Sequence, residues 1–87
     1  FPNPNNPKVN VFNIPVNLEE RGLIQMVVWD ILGSRICKLE PRMLDEGLQI
    51  IEWDGRNDDG EYVASGTYFY RIWSSRSRSE GRLTLIR

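Results

Sequence analysis

The chain has 87 residues, 40% of them apolar, and a formal net charge of −1. That length allows one domain with one modest core, and the charge balance offers no general affinity for nucleic acid or acidic lipid. There is no histidine and only one cysteine, Cys37. The usual zinc, copper and haem ligand sets, the Cys-His and Ser-His nucleophile pairs and an internal disulfide are therefore excluded.

The opening Phe1-Pro2-Asn3-Pro4-Asn5-Asn6-Pro7 is rich in proline and asparagine. Proline removes donors and biases its predecessor toward extended geometry, so residues 1–8 read as an extended lead-in, the cut end of something longer. No basic-then-apolar leader opens it, and no apolar run reaches the ~20 residues of a membrane helix. The domain proper is expected over 9–87.

The first strand is expected from Val9 to Ile14, closed by Pro15, with a turn at Glu19-Glu20-Arg21-Gly22. The second runs from Leu23 to Asp30. Side chains alternate along a strand, so Ile24, Met26 and Val28 share one face and Gln25, Val27 and Trp29 the other. Asp30-Ile31-Leu32-Gly33 makes a tight connection in which Gly33 supplies positive φ. The third strand covers Ser34 to Leu39 and includes Cys37, read as a small packing residue rather than a reactive thiol. Residues 40–47 read as a polar loop, with room for one helical turn at Pro41-Arg42-Met43-Leu44.

The fourth strand spans Leu48 to Trp53, with Gln49, Ile51 and Trp53 in phase. Trp53 is thereby marked as a core anchor, since a tryptophan buries a large area for so small a domain. The stretch Asp54-Gly55-Arg56-Asn57-Asp58-Asp59-Gly60 has the densest turn chemistry in the chain. A fifth segment, Glu61 to Ala64, leads through Ser65-Gly66 into Thr67–Trp73. There Tyr68, Tyr70 and Ile72 alternate with Phe69, Arg71 and Trp73. Gly66 reads as a bend where a Cβ would clash, and Tyr68 and Tyr70 as inward rings with hydroxyls at the rim. Residues 74–81 form a polar hairpin loop, and the last strand runs from Arg82 to Arg87 with Leu83 and Leu85 on one face. Seven short strands, each with one apolar face, predict an all-β fold, an immunoglobulin-like seven-stranded antiparallel β-sandwich.

Four stretches taken together resemble one family. They are Phe1-Pro2-Asn3-Pro4 with Asn6-Pro7, Val28-Trp29-Asp30-Ile31-Leu32-Gly33, Trp53-Asp54-Gly55-Arg56-Asn57, and Val63-Ala64-Ser65-Gly66-Thr67-Tyr68-Phe69-Tyr70-Arg71. Their order and spacing resemble the C-terminal sorting domains of type IX secretion cargo and, equally, the immunoglobulin-like domain of the flagellar hook-capping protein. The resemblance rests on Pro4, Gly33, Trp53, Asp54, Gly55, Gly66, Tyr68 and Tyr70 as fold-signature positions. It implies a module of an exported bacterial protein, outside the cell or on its surface, that is read by secretion or envelope components. The chain departs from the pattern at Asn10, at Cys37 and in the Ser/Arg stretch 74–79.

Three features carry candidate function. Asp54, Asn57, Asp58 and Asp59 offer oxygens in a glycine-containing loop, as a calcium site needs. Their spacing is not that of a helix–loop–helix calcium loop and no distal bidentate glutamate follows, so a solvated turn is the favoured reading. Residues 71–87 hold five arginines against Glu80 alone, a net of +4, leaving −5 on the rest of the chain. Arg76, Arg78, Arg82 and Arg87 are thus candidates for docking or head-to-tail contact, or guards on an edge strand. Trp29, Phe69 and Trp73 lie out of phase with the core and predict an outward aromatic patch facing a partner or a neighbouring domain, unless the 40–47 loop covers part of it.

The sequence therefore predicts a non-catalytic sorting or attachment module that acts by protein–protein recognition and has no cofactor. Its partners are secretion or envelope components or the parent polypeptide, with self-association open and neither nucleic acid nor membrane insertion expected. Two alternatives stand beside it. One is a structural subunit of an extracellular assembly using strand-edge pairing. The other is a carbohydrate-binding accessory domain using Trp29 and Trp73.

Overall fold

The computed structural model describes residues 11–86. The expectations for the lead-in 1–8, for Pro4 and Asn10, for the start of the first strand at Val9 and for Arg87 lie outside the described residues. Six strands are present: β1 (Phe12–Leu18), β2 (Gly22–Asp30), β3 (Arg35–Leu44), β4 (Gly47–Trp53), β5 (Gly66–Trp73) and β6 (Arg78–Leu85). They form two antiparallel sheets, β1-β4 and β3-β2-β5-β6. Among the described residues no helix is long and apolar enough to cross a membrane.

The two sheets close on one core. β1 contributes Ile14, Val16 and Leu18, β2 contributes Ile24, Met26 and Val28, and β4 contributes Ile51 and Trp53. Tyr68 and Ile72 of β5 and Leu85 of β6 complete the layer. Each set is spaced by two or four residues, as a half-buried strand requires. The shortest dimension is 20 Å, which fits two sheets packed ~10 Å apart with their outer side chains.

Trp53 is the hub and is fully buried. Its ring stacks on Phe12 with centroids 5.6 Å apart and meets Tyr68 edge-on at 5.9 Å. Its indole N–H donates to the Arg56 carbonyl at 3.0 Å, so the polar end is satisfied where the apolar body is buried. The Tyr68 hydroxyl donates to the Ala64 carbonyl, 2.6 Å away and four residues upstream. That bond ties the start of β5 to its own corner, as tyrosine corners do in sandwich domains.

The structure corrects the strand reading in four places. β1 does not close at Pro15 but continues to Leu18, with Pro15 opposite Ile50. Its only partner among the described residues is β4, so a missing outward N–H costs no ladder bond. Residues 40–44 are not a loop with a helical turn. β3 runs through Pro41 to Leu44, and its register against β2 shifts where Glu40 and Pro41 face Gln25. A bulge on an outer strand accommodates proline. Segment 61–64 is not a strand, because only an isolated bridge joins Tyr62 to Arg56, and the count among the described residues is six rather than seven. Finally, β6 begins at Arg78, leaving a turn at Ser74–Ser77 closed by the Ser74 N–H on the Ser77 carbonyl at 2.8 Å.

Candidate recognition face

Alternation along β5 and β6 determines what the outer face of the four-stranded sheet presents. With Tyr68 and Ile72 committed to the core, Phe69, Arg71 and Trp73 must point the other way. The register then places Arg82 opposite Phe69, Glu80 opposite Arg71 and Arg78 opposite Trp73. On the other flank of β5, Trp29 faces Phe69, Val27 faces Arg71 and Gln25 faces Trp73. Trp29, Phe69, Trp73, Arg78 and Arg82 therefore share one surface, with Arg76 in the turn at its end.

Arg71, not singled out from the sequence, organises this surface. Its guanidinium lies 5.7 Å from the Trp29 ring centroid, and its Nε donates to Glu80 Oε2 at 2.7 Å. Such a cation held over an aromatic face and fixed by a carboxylate forms a saddle. On one side is a groove of about 450 Å³ lined by Trp29, Phe69 and Arg82; on the other is one of about 480 Å³ lined by Trp29, Trp73, Arg76 and Arg78. Val27, at the bottom of this layer, is only 7% exposed although it faces away from the core. The long side chains around it exclude water from a second, shallow apolar layer. The signal for Arg71 was present in the sequence: it lies midway between two outward aromatics.

Two of the arginines on this face have no ion-pair partner among the described residues. Arg71 pairs with Glu80 and Arg76 with Glu20, whereas Arg78 and Arg82 take part in none of the ion pairs. The expected overlap with 40–47 does not arise, because that stretch is largely strand β3, on the far side of β2 from β5.

The acidic turn is held by its own side chains. Asp54 Oδ1 accepts the Arg56 N–H at 3.1 Å, and Asn57 Oδ1 accepts the N–H groups of Asp59 and Glu61 at 2.9 and 3.0 Å. Asp58 reaches across to β3. Its N–H donates to the Ile36 carbonyl at 3.0 Å, its Oδ1 accepts the Lys38 N–H at 2.9 Å, and its Oδ2 pairs with Arg35 at 3.1 Å. Among the described residues no group of three or more Cys, Asp or Glu side chains is placed to hold a metal ion. Asp58 instead imitates a neighbouring strand and closes the outer edge of β3.

Cys37 lies between those two β3 residues and faces the core. Its thiol is buried and free, and its pKa is pushed up to about 11, first by burial and then by the charges of Asp58 and Asp54. Both effects disfavour a thiolate. At the fold-signature positions, Gly33 has φ +86° in the β2–β3 turn, where Asp30 Oδ1 accepts the N–H groups of Leu32 and Ser34. Gly66 is not a site of steric clash, since a Cβ there meets nothing closer than Tyr68 at 4.0 Å.

No family model matches the chain, and no curated protein matches it. A solved structure does. The chain is similar to FLGD from P. aeruginosa, a flagellar hook-capping protein, with a TM-score of 0.71 and 21% sequence identity. The match covers 92% of this chain and 61% of that one, so the chain spans about three fifths of the FLGD structure's length. At that identity the likeness establishes a shared fold and leaves the side chains of the outer face to be read on their own.

Proposed function

We propose that this chain is a non-catalytic β-sandwich module of an exported bacterial assembly, and that it acts by protein–protein recognition through the outer face of its β3-β2-β5-β6 sheet. One observation carries the reading. Trp29, Phe69, Trp73, Arg78 and Arg82 converge on a surface the core does not use, around a saddle made by Arg71 and Glu80. Aromatic and arginine side chains are the residues most enriched at recognition surfaces. The FLGD likeness supports an assembly role, and a sorting or attachment module is the narrower form of the same reading. A sugar-binding role has less support, because Arg71 occupies the Trp29 ring face on which a sugar would stack.

The test is site-specific photo-crosslinking in the full-length parent protein. A crosslinking residue at position 69 or 73 is expected to give discrete protein adducts in cells, and one at position 13 or 17 on β1 is not. Adducts that are absent at 69 and 73, or the same at all four positions, overturn the reading.

A further inference from the structure

The two outer edges of the four-stranded sheet differ, and the difference points to a particular occupant. The β3 edge is closed by Asp58 through the Ile36 carbonyl and the Lys38 N–H. β6 is the last strand on the other side and has a partner only in β5 among the described residues. Its outward groups are therefore the place where an extended polypeptide can continue the ladder.

The side chains along that edge set the chemistry of the strand that fits. On the outer face, β6 presents Arg78, Glu80 and Arg82 in succession. Glu80 is neutralised by Arg71 at 2.7 Å, while Arg78 and Arg82 take part in no ion pair among the described residues. Each unpaired arginine stands opposite an aromatic ring, Arg78 beside Trp73 and Arg82 beside Phe69. The edge thus offers two cations four residues apart, about 13 Å at the rise of a strand, separated by a neutral position. A strand lying beside β6 satisfies this pattern with carboxylates at positions i and i+4 and an uncharged residue at i+2.

Resting on the recognition reading above, we infer that β6 takes up an acidic, extended segment of another polypeptide as a fifth strand, with two carboxylates of that segment on Arg78 and Arg82. A second copy of this chain does not supply such a strand. Neither β1 nor β5 carries a carboxylate, and the other four strands carry one each: Asp30 on β2, Glu40 on β3, Glu52 on β4 and Glu80 on β6. Residues 1–10 contain neither aspartate nor glutamate. The charge that complements this edge has to come from elsewhere.

The test uses the whole chain and capped synthetic eight-residue peptides of strand-forming sequence, with glutamate at positions 2 and 6 and threonine at 4. A matched glutamine peptide and a lysine peptide serve as comparisons. The glutamate peptide is expected to bind, to weaken steeply as salt rises from about 0.05 to 0.5 M, and to lose at least tenfold in affinity on the R78E/R82E double variant. Each single Arg→Gln change is expected to cost about threefold, the scale of one exposed ion pair. Hydrogen exchange on the complex is expected to slow the outward amides of β6. Absence of binding by the glutamate peptide, equal binding of the glutamine peptide, indifference to R78E/R82E, or self-association through β6 overturns the inference. None of these results touches the crosslinks from positions 69 and 73, so the recognition reading stands or falls separately.

Discussion

The β3 and β6 edges of one sheet face the same problem, a row of unpaired backbone groups, and only β3 has a solution built from its own chain. At β3 the turn after β4 folds back, and Asp58 supplies both a donor and an acceptor where a neighbouring strand would. At β6 the described residues offer arginines instead. Charge on an edge discourages indiscriminate pairing while leaving the ladder available to a complementary chain. The comparison teaches that the domain is directional: one side is finished and the other is selective.

The strongest way to break the closed side is to remove the residue that holds its turn. Trp53→Ala deletes a fully buried ring that stacks on Phe12 and Tyr68 and fixes the Arg56 carbonyl through its N–H. A loss of about 3–5 kcal/mol is expected from cavity formation, measurable by urea denaturation. A milder and more specific change is Asp58→Ala. It removes one side-chain hydrogen bond and the ion pair to Arg35, a loss of about 1–2 kcal/mol. It also opens the β3 edge, so concentration-dependent association is expected in light scattering where the parent chain shows none from that edge.

Cys37 reports on the closed edge through pH. Its folded pKa, about 11, lies above the ordinary thiol value of 9.0. Below pH 9 the thiol is neutral in both states and its contribution to stability is complete. As pH rises through 9 toward 11 the unfolded chain loses the proton first, and stability falls by up to about 2 kcal/mol. Subtracting the same titration of Cys37→Ala isolates this term, and equal pH profiles for the two proteins contradict it. The smallest effect is expected on the open side. A Cβ at Gly81 would come within 2.5 Å of the Tyr70 hydroxyl, whose ring lies across the glycine. Gly81→Ala must push that ring aside, at about 1 kcal/mol. In a double-mutant cycle the penalty is expected to vanish when Tyr70 is first shortened to alanine.

Much of this was legible in the sequence because it depends on alternation. Ile24, Met26 and Val28 on one face, Trp53 in phase with Ile51, and Phe69 and Trp73 opposite Tyr68 and Ile72 all follow from a period of two. Pro15 and Pro41 misled because proline usually ends a strand, and whether its missing donor matters depends on having a neighbour on that side. Tyr62 misled in the opposite sense, since its local pattern is strand-like but only one bridge forms. The role of Asp58 had no local signal: its partner Lys38 is 20 residues away, and a loop rich in aspartate reads equally as a turn or a calcium site. Val27 shows the same limit, being buried on an outward face only because the neighbouring β5 brings Arg71 opposite it.

The most direct test of the central claim is residue-resolved hydrogen exchange on the free chain. The account predicts that the Lys38 amide, held by Asp58, exchanges as slowly as the interior ladder, while the alternate β6 amides that face away from β5 exchange rapidly. Equal protection of the two edges, or a Lys38 amide that exchanges like an open edge, would contradict it.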